Sequence, residues 1–181
     1  MSEIKKRCKK CSVDYKHYSN SSTQNSTDEM NLIAYLKRNS VWFRIIEKKT
    51  TVHTADAAAA TGIPLERVTK SLVFLADNSP ILVIIPGDCR VDKNKLKSAI
   101  KAENIEMVPF EKAEEYSGYP PGATSPVYHK KIEKVIIDKK VMEFETVFGG
   151  GGSRTKLIEL KPEDIQKLNN AIVADIVEMN K

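Results

Sequence analysis

The chain has 181 residues, 41% of them hydrophobic and 29% charged, with a net charge of +5, which fits one globular domain with its own core. No apolar run approaches the roughly 20 residues of a helical membrane span, so no membrane partner is expected. Three cysteines are too few and too unevenly matched for a disulfide scaffold, and point to a reducing cytoplasm.

The positive charge is concentrated at the start. Residues 1–18 hold six of the 29 basic residues and two of the 24 acidic ones, which leaves the remainder close to neutral at +1. No apolar stretch follows this Lys-rich start, so a secretory signal is not expected. Residues 19–27 read Ser-Asn-Ser-Ser-Thr-Gln-Asn-Ser-Thr, a polar low-complexity linker. A flexible basic tail and linker over 1–27 and one folded domain over 28–181 are expected. Any contact with nucleic acid must then come through a local patch or the tail.

The domain opens with a helix, for which Thr27 is a plausible N-cap and Met30, Leu32, Ile33 and Leu36 supply the apolar stripe. Trp42 to Ile46 reads as a strand. Thr54 to Thr61 is Ala-rich and helical, stopped by Gly62 and Pro64. Val68 to Ala76 and Ile81 to Ile85 are strands around an Asn78-Ser79 turn. Asp92 to Lys101 is a helix, and Phe110 to Tyr116 a shorter one. Residues 117–126 form a Gly/Pro-rich loop. Val135 to Ile137, Glu145 to Phe148 and Lys156 to Leu160 are strand-like, with a flexible turn at Gly149 to Gly152. Pro162 opens a last helix that runs to about Val177. The irregular alternation fits a mixed α/β (α+β) single domain, with a mixed, partly antiparallel sheet surrounded by helices.

The chemistry is narrowed by what is missing. There is no Gly-x-Ser-x-Gly elbow, and the three histidines are His17, His53 and His129. A hydrolase built on this chain works without a standard triad. Cys8-x-x-Cys11 is half of a zinc ligand set, with His17 as a possible third donor; lacking a second pair, it is assigned no metal. A zinc-directed nucleic-acid binder stays open as an alternative. Cys89 reads as a packed thiol and His129 as a surface residue. The run Gly149–Gly152 lacks phosphate-loop spacing and reads as a turn between strands, with Arg154 beside it free to touch a phosphate or a carboxylate. Lys70, near the start of an apolar strand, either snorkels or holds a cation at the mouth of a cleft. The loop Gly118-Tyr119-Pro120-Pro121-Gly122-Ala123-Thr124-Ser125-Pro126 is rigid enough to aim backbone N–H groups at a carbonyl oxygen.

In order along the chain stand Gly62-x-x-x-x-Arg67-Val68-x-Lys70-Ser71-Leu72-Val73, then Gly122-Ala123-Thr124-Ser125-Pro126, then Gly151-Gly152-Ser153-Arg154 and Ile158-Glu159-Leu160-x-Pro162-x-Asp164-Ile165. This set resembles the YbaK/prolyl-tRNA-synthetase-editing-domain family over roughly residues 30–178. The resemblance implies a sheet around a small amino-acid pocket. It also implies hydrolysis of the ester that joins a noncognate residue such as Ala, Cys or Ser to the terminal adenosine of tRNA(Pro) or a similar tRNA. Lys70 matches the lysine that anchors the phosphate near that adenosine, and Gly122 the glycine whose N–H holds the substrate carbonyl. His53, Ser71, Ala123, Thr124, Ser125, Pro126, Gly151 and Arg154 are the implied substrate-binding positions.

The family works without a protein nucleophile, and no cofactor or metal is implied. Aminoacyl-tRNA is the implied partner, with an aminoacyl-tRNA synthetase as a second one left open. Leu157 stands where some relatives carry Asp or His. His53 and Arg44 stand where cysteinyl-tRNA deacylases tend to be aromatic. A non-catalytic tRNA-binding module on the same fold is the alternative.

Overall fold

Residues 31–178 are described by the structure, a computed structural model. The expected zinc donors, the basic tail, the linker and Thr27 lie outside the described residues. The most apolar stretch of the chain folds back on itself. β2 (Thr69–Ala76) and β3 (Ser79–Pro86) pair antiparallel from Thr69–Pro86 to Ala76–Ser79. The turn is Asp77-Asn78, one residue earlier than the sequence suggests. Both residues have positive φ, 47° and 69°, the signature of a type I′ hairpin turn and a conformation that Asp and Asn tolerate. The Asp77 carboxylate also accepts the N–H groups of Glu103 and Asn104. These bonds hold its pKa below the usual range and bring β4 (Ile105–Met107) alongside β2.

β5 (Lys134–Asp138) adds parallel to β3, and β8 (Ile172–Ala174) parallel to β5, giving the order β4-β2-β3-β5-β8. One mixed sheet was expected; the chain builds two. β1 (Arg44–Glu47), β7 (Lys156–Leu160) and β6 (Val147–Gly150) form an antiparallel sheet in the order β1-β7-β6. A bridge between Val68 and Phe148, with the Thr69 hydroxyl donating to the Phe148 carbonyl at 3.2 Å, joins it to the first sheet.

α1 (Leu32–Arg38) is capped by Asn31, whose side chain accepts from Ala34 N–H, so the helix starts later than Thr27 would place it. α2 (Thr54–Thr61) stops at Gly62 in the left-handed region, as its composition predicts. α3 (Lys93–Ile100) is capped by Asp92, and α4 (Ala113–Ser117) follows a 3-10 turn over Phe110–Lys112. α5 (Pro162–Asn169) is shorter than expected: Asn170, at φ 47°, ends it, and the chain continues into β8. The fully buried Asp138 holds that continuation by accepting Ile176 N–H. Among the described residues no helix is long and apolar enough to cross a membrane.

Strand alternation divides the core. Val73 and its neighbours on one face of β2 join Leu36, Ile84, Ile137 and Ile158, whereas Phe74 joins Ile81, Ile85 and Leu96 on the other. A third cluster packs Ala57 and Ala58 of α2 against Phe148 and Leu157. Glu159, 5% exposed, is matched by Arg44 at 2.6 Å and by the Thr146 hydroxyl at 2.6 Å, and Arg67 donates to Thr146 from across the seam between the sheets.

The run expected to be a flexible turn is partly strand. Gly149 and Gly150 belong to β6 because loop 123–126 lies against their backbone. A Cβ on Gly149 would sit 2.6 Å from Pro126, and one on Gly150 only 2.4 Å from the Thr124 carbonyl oxygen. Gly62, by contrast, faces open space. Urea denaturation should therefore show Gly150→Ala costing about 3 kcal/mol through overpacking, and Gly62→Ala only about 1 kcal/mol for its left-handed backbone. Equal costs would contradict this packing.

Candidate active site at the open edge of strand β2

β2 is covered unevenly on the side away from β3. β6 meets the chain at Val68, and β4 pairs only with Phe74–Ala76. The edge between, across Lys70 to Leu72, has no strand beside it, and a cavity of about 400 Å³ opens there. Val73 uses its carbonyl on this side, accepting Val108 N–H at 3.0 Å. The backbone of Ser71, two residues earlier, faces the same way. Ser71 also lines the cavity; its hydroxyl is buried and makes no hydrogen bond among the described residues.

Lys70 lines the same cavity. Its ammonium donates to the Cys89 carbonyl at 2.9 Å, which leaves two of its three donors free. Burial pulls its pKa below the ordinary lysine value, partly opposed by Cys89 and Asp88. Lys48, which the sequence reading passed over, is a second wall cation. It donates to the Thr51 hydroxyl and the Arg154 carbonyl, and burial lowers its pKa as well. Neither lysine, nor Arg154, forms an ion pair with a carboxylate among the described residues.

The opposite wall is the 121–124 loop. Gly122 has φ 83°, and a Cβ there would lie 2.6 Å from the Val52 carbonyl oxygen. An alanine at this position therefore collides first with the β1–α2 loop. Ala123 N–H donates to the Pro120 carbonyl, while the N–H groups of Gly122 and Thr124 have no acceptor among the described residues. Thr124 lines the cavity.

The remaining sequence candidates are spread around this wall. Ala123, Ser125 and Pro126 are buried within the loop, behind its cavity surface. Gly151 lines a separate groove beside Tyr119. Arg154 is exposed and braces the loop from outside, donating to the Pro121 carbonyl at 3.0 Å. His53 lines the cavity at the N-cap of α2, exposed and without a capping bond. Leu157 lines it as a buried apolar contact. Arg44 is not part of the cavity lining; it serves the buried Glu159. Thr51 and Val52 line the cavity but carry no sequence signal, since Val52 owes its place to contact with Gly122 and Thr51 to its bonds with Lys48 and Arg154.

The loop is held from behind. The Tyr119 hydroxyl donates to the Tyr128 carbonyl at 2.7 Å, and burial drives its pKa up. The Ser125 hydroxyl accepts Val127 N–H. Asn169 donates to the Pro126 carbonyl at 3.0 Å. His129, expected at the surface, is instead tucked edge-on against Tyr119 with Nε2 2.9 Å from the Ser125 carbonyl. Burial pushes its pKa down to about 4.

Residues 48–168 match the family model described as the aminoacyl-tRNA editing domain. The chain belongs to that family. It is 27% identical over 155 residues to "Putative Cys-tRNA(Pro)/Cys-tRNA(Cys) deacylase EbsC" of Enterococcus faecalis, covering 85% of this chain and 94% of that one. It is 30% identical over 90 residues to a proline–tRNA ligase of Nitratidesulfovibrio vulgaris, a segment that is 49% of this chain and 16% of the ligase. Among solved structures, one described as "a putative trans-editing enzyme for prolyl tRNA synthetase" superposes with a TM-score of 0.68 at 25% identity, covering 76% of this chain and 87% of that one. The mixed α/β fold is thus that of the editing domains.

The His129 contact makes stability depend on pH. The unfolded imidazole titrates near 6.5 and the folded one at about 4, so between these values the unfolded chain binds the extra proton. The contribution is complete above pH 6.5 and is lost as pH falls toward 4, by roughly 3 kcal/mol at most. Urea midpoints at pH 7 and pH 4.5 should fall further for the parent chain than for His129→Gln, which keeps a donor without a titrating proton. An equal fall in both would contradict the buried placement.

Proposed function

We propose that this chain hydrolyses the ester linking a small noncognate amino acid to the terminal adenosine of tRNA, with tRNA(Pro) bearing Ala, Cys or Ser as the first candidates. One observation carries the reading: Ser71, Gly122 and Thr124, each with a polar group that has no partner among the described residues, line one cavity together with Lys70, which is half-buried and paired with no carboxylate. Donors of this kind suit an ester carbonyl whose oxygen gains charge in the transition state.

Water adds to the ester carbon and the bond to the ribose oxygen breaks, the proton passing to that oxygen. Gly122 N–H, with Thr124 N–H beside it, stabilises the developing oxyanion. Lys70 keeps its bond to Cys89 and gives its free donors to the phosphate preceding the adenosine. The cavity walls contributed by Val52, Ala57, Val73 and Leu157 are apolar and suit a small side chain. Among the described residues neither His53 nor Thr54 makes a side-chain hydrogen bond, and the Thr51 hydroxyl accepts from the Lys48 ammonium, which also donates to the Arg154 carbonyl; the nucleophile of this reading is water, positioned by the substrate itself. The family contains both free-standing relatives and ligase segments, and the reading here is of a trans-acting enzyme, with residues 28–181 as the editing domain and 1–27 as a salt-dependent tRNA contact.

Purified chain is to be incubated with tRNA(Pro) charged in turn with Ala, Cys, Ser and Pro. Hydrolysis of one or more noncognate esters, with Pro spared, is expected. Lys70→Ala should lower kcat/KM by about 10- to 100-fold, the worth of one charge-assisted contact. Full activity in Lys70→Ala would overturn its role, and no hydrolysis of any ester would overturn the activity. Deleting residues 1–27 should leave kcat unchanged and raise KM more at low salt than at high salt.

A further inference from the structure

Two of the most exposed large apolar side chains, Met107 at 52% and Phe110 at 47%, stand on the wall of the same cavity. Their positions relative to Lys70 follow from strand geometry. Met107 lies opposite Phe74 across the β2–β4 ladder, so it shares a sheet face with Phe74, Leu72 and Lys70. That face carries an unpaired cation at one end, an aliphatic step at Leu72, and an exposed thioether about 13 Å along at Met107. Phe110 follows at once in its 3-10 turn. Val108 anchors this segment, buried and bonded to the Val73 carbonyl. Lys112 N–H closes the turn on the Pro109 carbonyl at 2.9 Å.

We propose that Met107 and Phe110 are the stacking platform for the terminal base of the acylated tRNA. The proposal rests on the deacylase reading and adds to it a site for the adenine. The nucleotide lies along this face of β2 with its phosphate toward Lys70 and its base on Phe110, flanked by Met107. The ribose ester then turns over the open edge at Ser71, toward Gly122 and the apolar inner wall. A nucleotide matches the face at both ends: it brings an anion to the lysine and a flat π surface to an aromatic ring and a polarizable sulfur. An apolar peptide or a second copy of the chain would cover the platform and leave Lys70 without a counter-charge.

Binding of adenosine 5′-monophosphate is to be followed by ligand-observed NMR with the parent chain, Phe110→Ala, Phe110→Trp and Met107→Ser. Phe110→Ala should weaken binding on the order of tenfold, Phe110→Trp should restore it, and Met107→Ser should fall between. On mischarged tRNA(Pro), Phe110→Ala should raise KM with kcat nearly unchanged. The parent should prefer a 3′-terminal A over a 3′-terminal C, and Phe110→Ala should lose that preference. No binding by the parent, equal binding by Phe110→Ala, or a preference unchanged in the variant would overturn the platform. Deacylation that continues without any Phe110 effect would remove the platform and leave the activity standing. Phe110-dependent nucleotide binding without hydrolysis of any ester would do the reverse.

Discussion

Loop 123–126 packs directly on β6, its Pro126 ring on Gly149 and its Ala123–Thr124 backbone on Gly150, and the shape of the cavity depends on that contact. The close approach sets how far the loop stands from β2. On the same loop Gly122 lies close against Val52, and Gly122 and Thr124 line the cavity together with Ser71. A larger residue at either glycine would push the loop outward and widen the cavity. The ties behind the loop, from Tyr119, Ser125, His129 and Asn169, make it a fixed wall of the cavity.

The other wall is left unfinished at a cost. Open strand edges invite pairing with other chains, and a buried hydroxyl with no partner costs about 1–3 kcal/mol. Ser71 carries both features within three residues of β2 whose neighbours on either side are fully paired. Lys70 adds a cation drawn partly out of water and given one carbonyl in return. These local violations of good packing sit together around one cavity, and the carbonyl, amine and phosphate of the proposed substrate would bring partners to them. A site of this kind gives up some stability in the empty protein for complementarity to what it binds.

Strong local signals were legible in the sequence, and signals that depend on contact were not. The β2–β3 hairpin, the Ala-rich α2 with its Gly62 stop and the helix that begins at Asp92 follow from local sequence pattern. β4 and β8 escaped because three residues carry no period, and β8 exposes Ile172 and Val173 with no alternation. α5 was drawn too long because nothing local distinguishes Asn170 as a left-handed terminator from an ordinary polar helix position. The second sheet was hidden because its seam to the first, at Val68–Phe148, is a contact between segments 80 residues apart. Lys70 and Gly122, which both line the cavity, stand in an ordered set of motifs, whereas Lys48 is held by Thr51 and the Arg154 carbonyl and Val52 lies against Gly122, contacts that leave no local pattern. His129 looked like a surface residue because burial by Tyr119 and the Ser125 carbonyl leaves no trace in neighbouring sequence.

The most direct test is to add adenosine bearing alanine through a non-hydrolysable 3′-amide to the isotope-labelled protein and follow the backbone amides by NMR. If the open edge of β2 is the reaction site, the largest shifts fall on the amides of Ser71, Gly122 and Thr124, and their solvent exchange slows when the analogue binds. Binding that leaves these three amides unmoved, with shifts clustered elsewhere on the surface, would contradict the assignment of this cavity as the place where the ester is held.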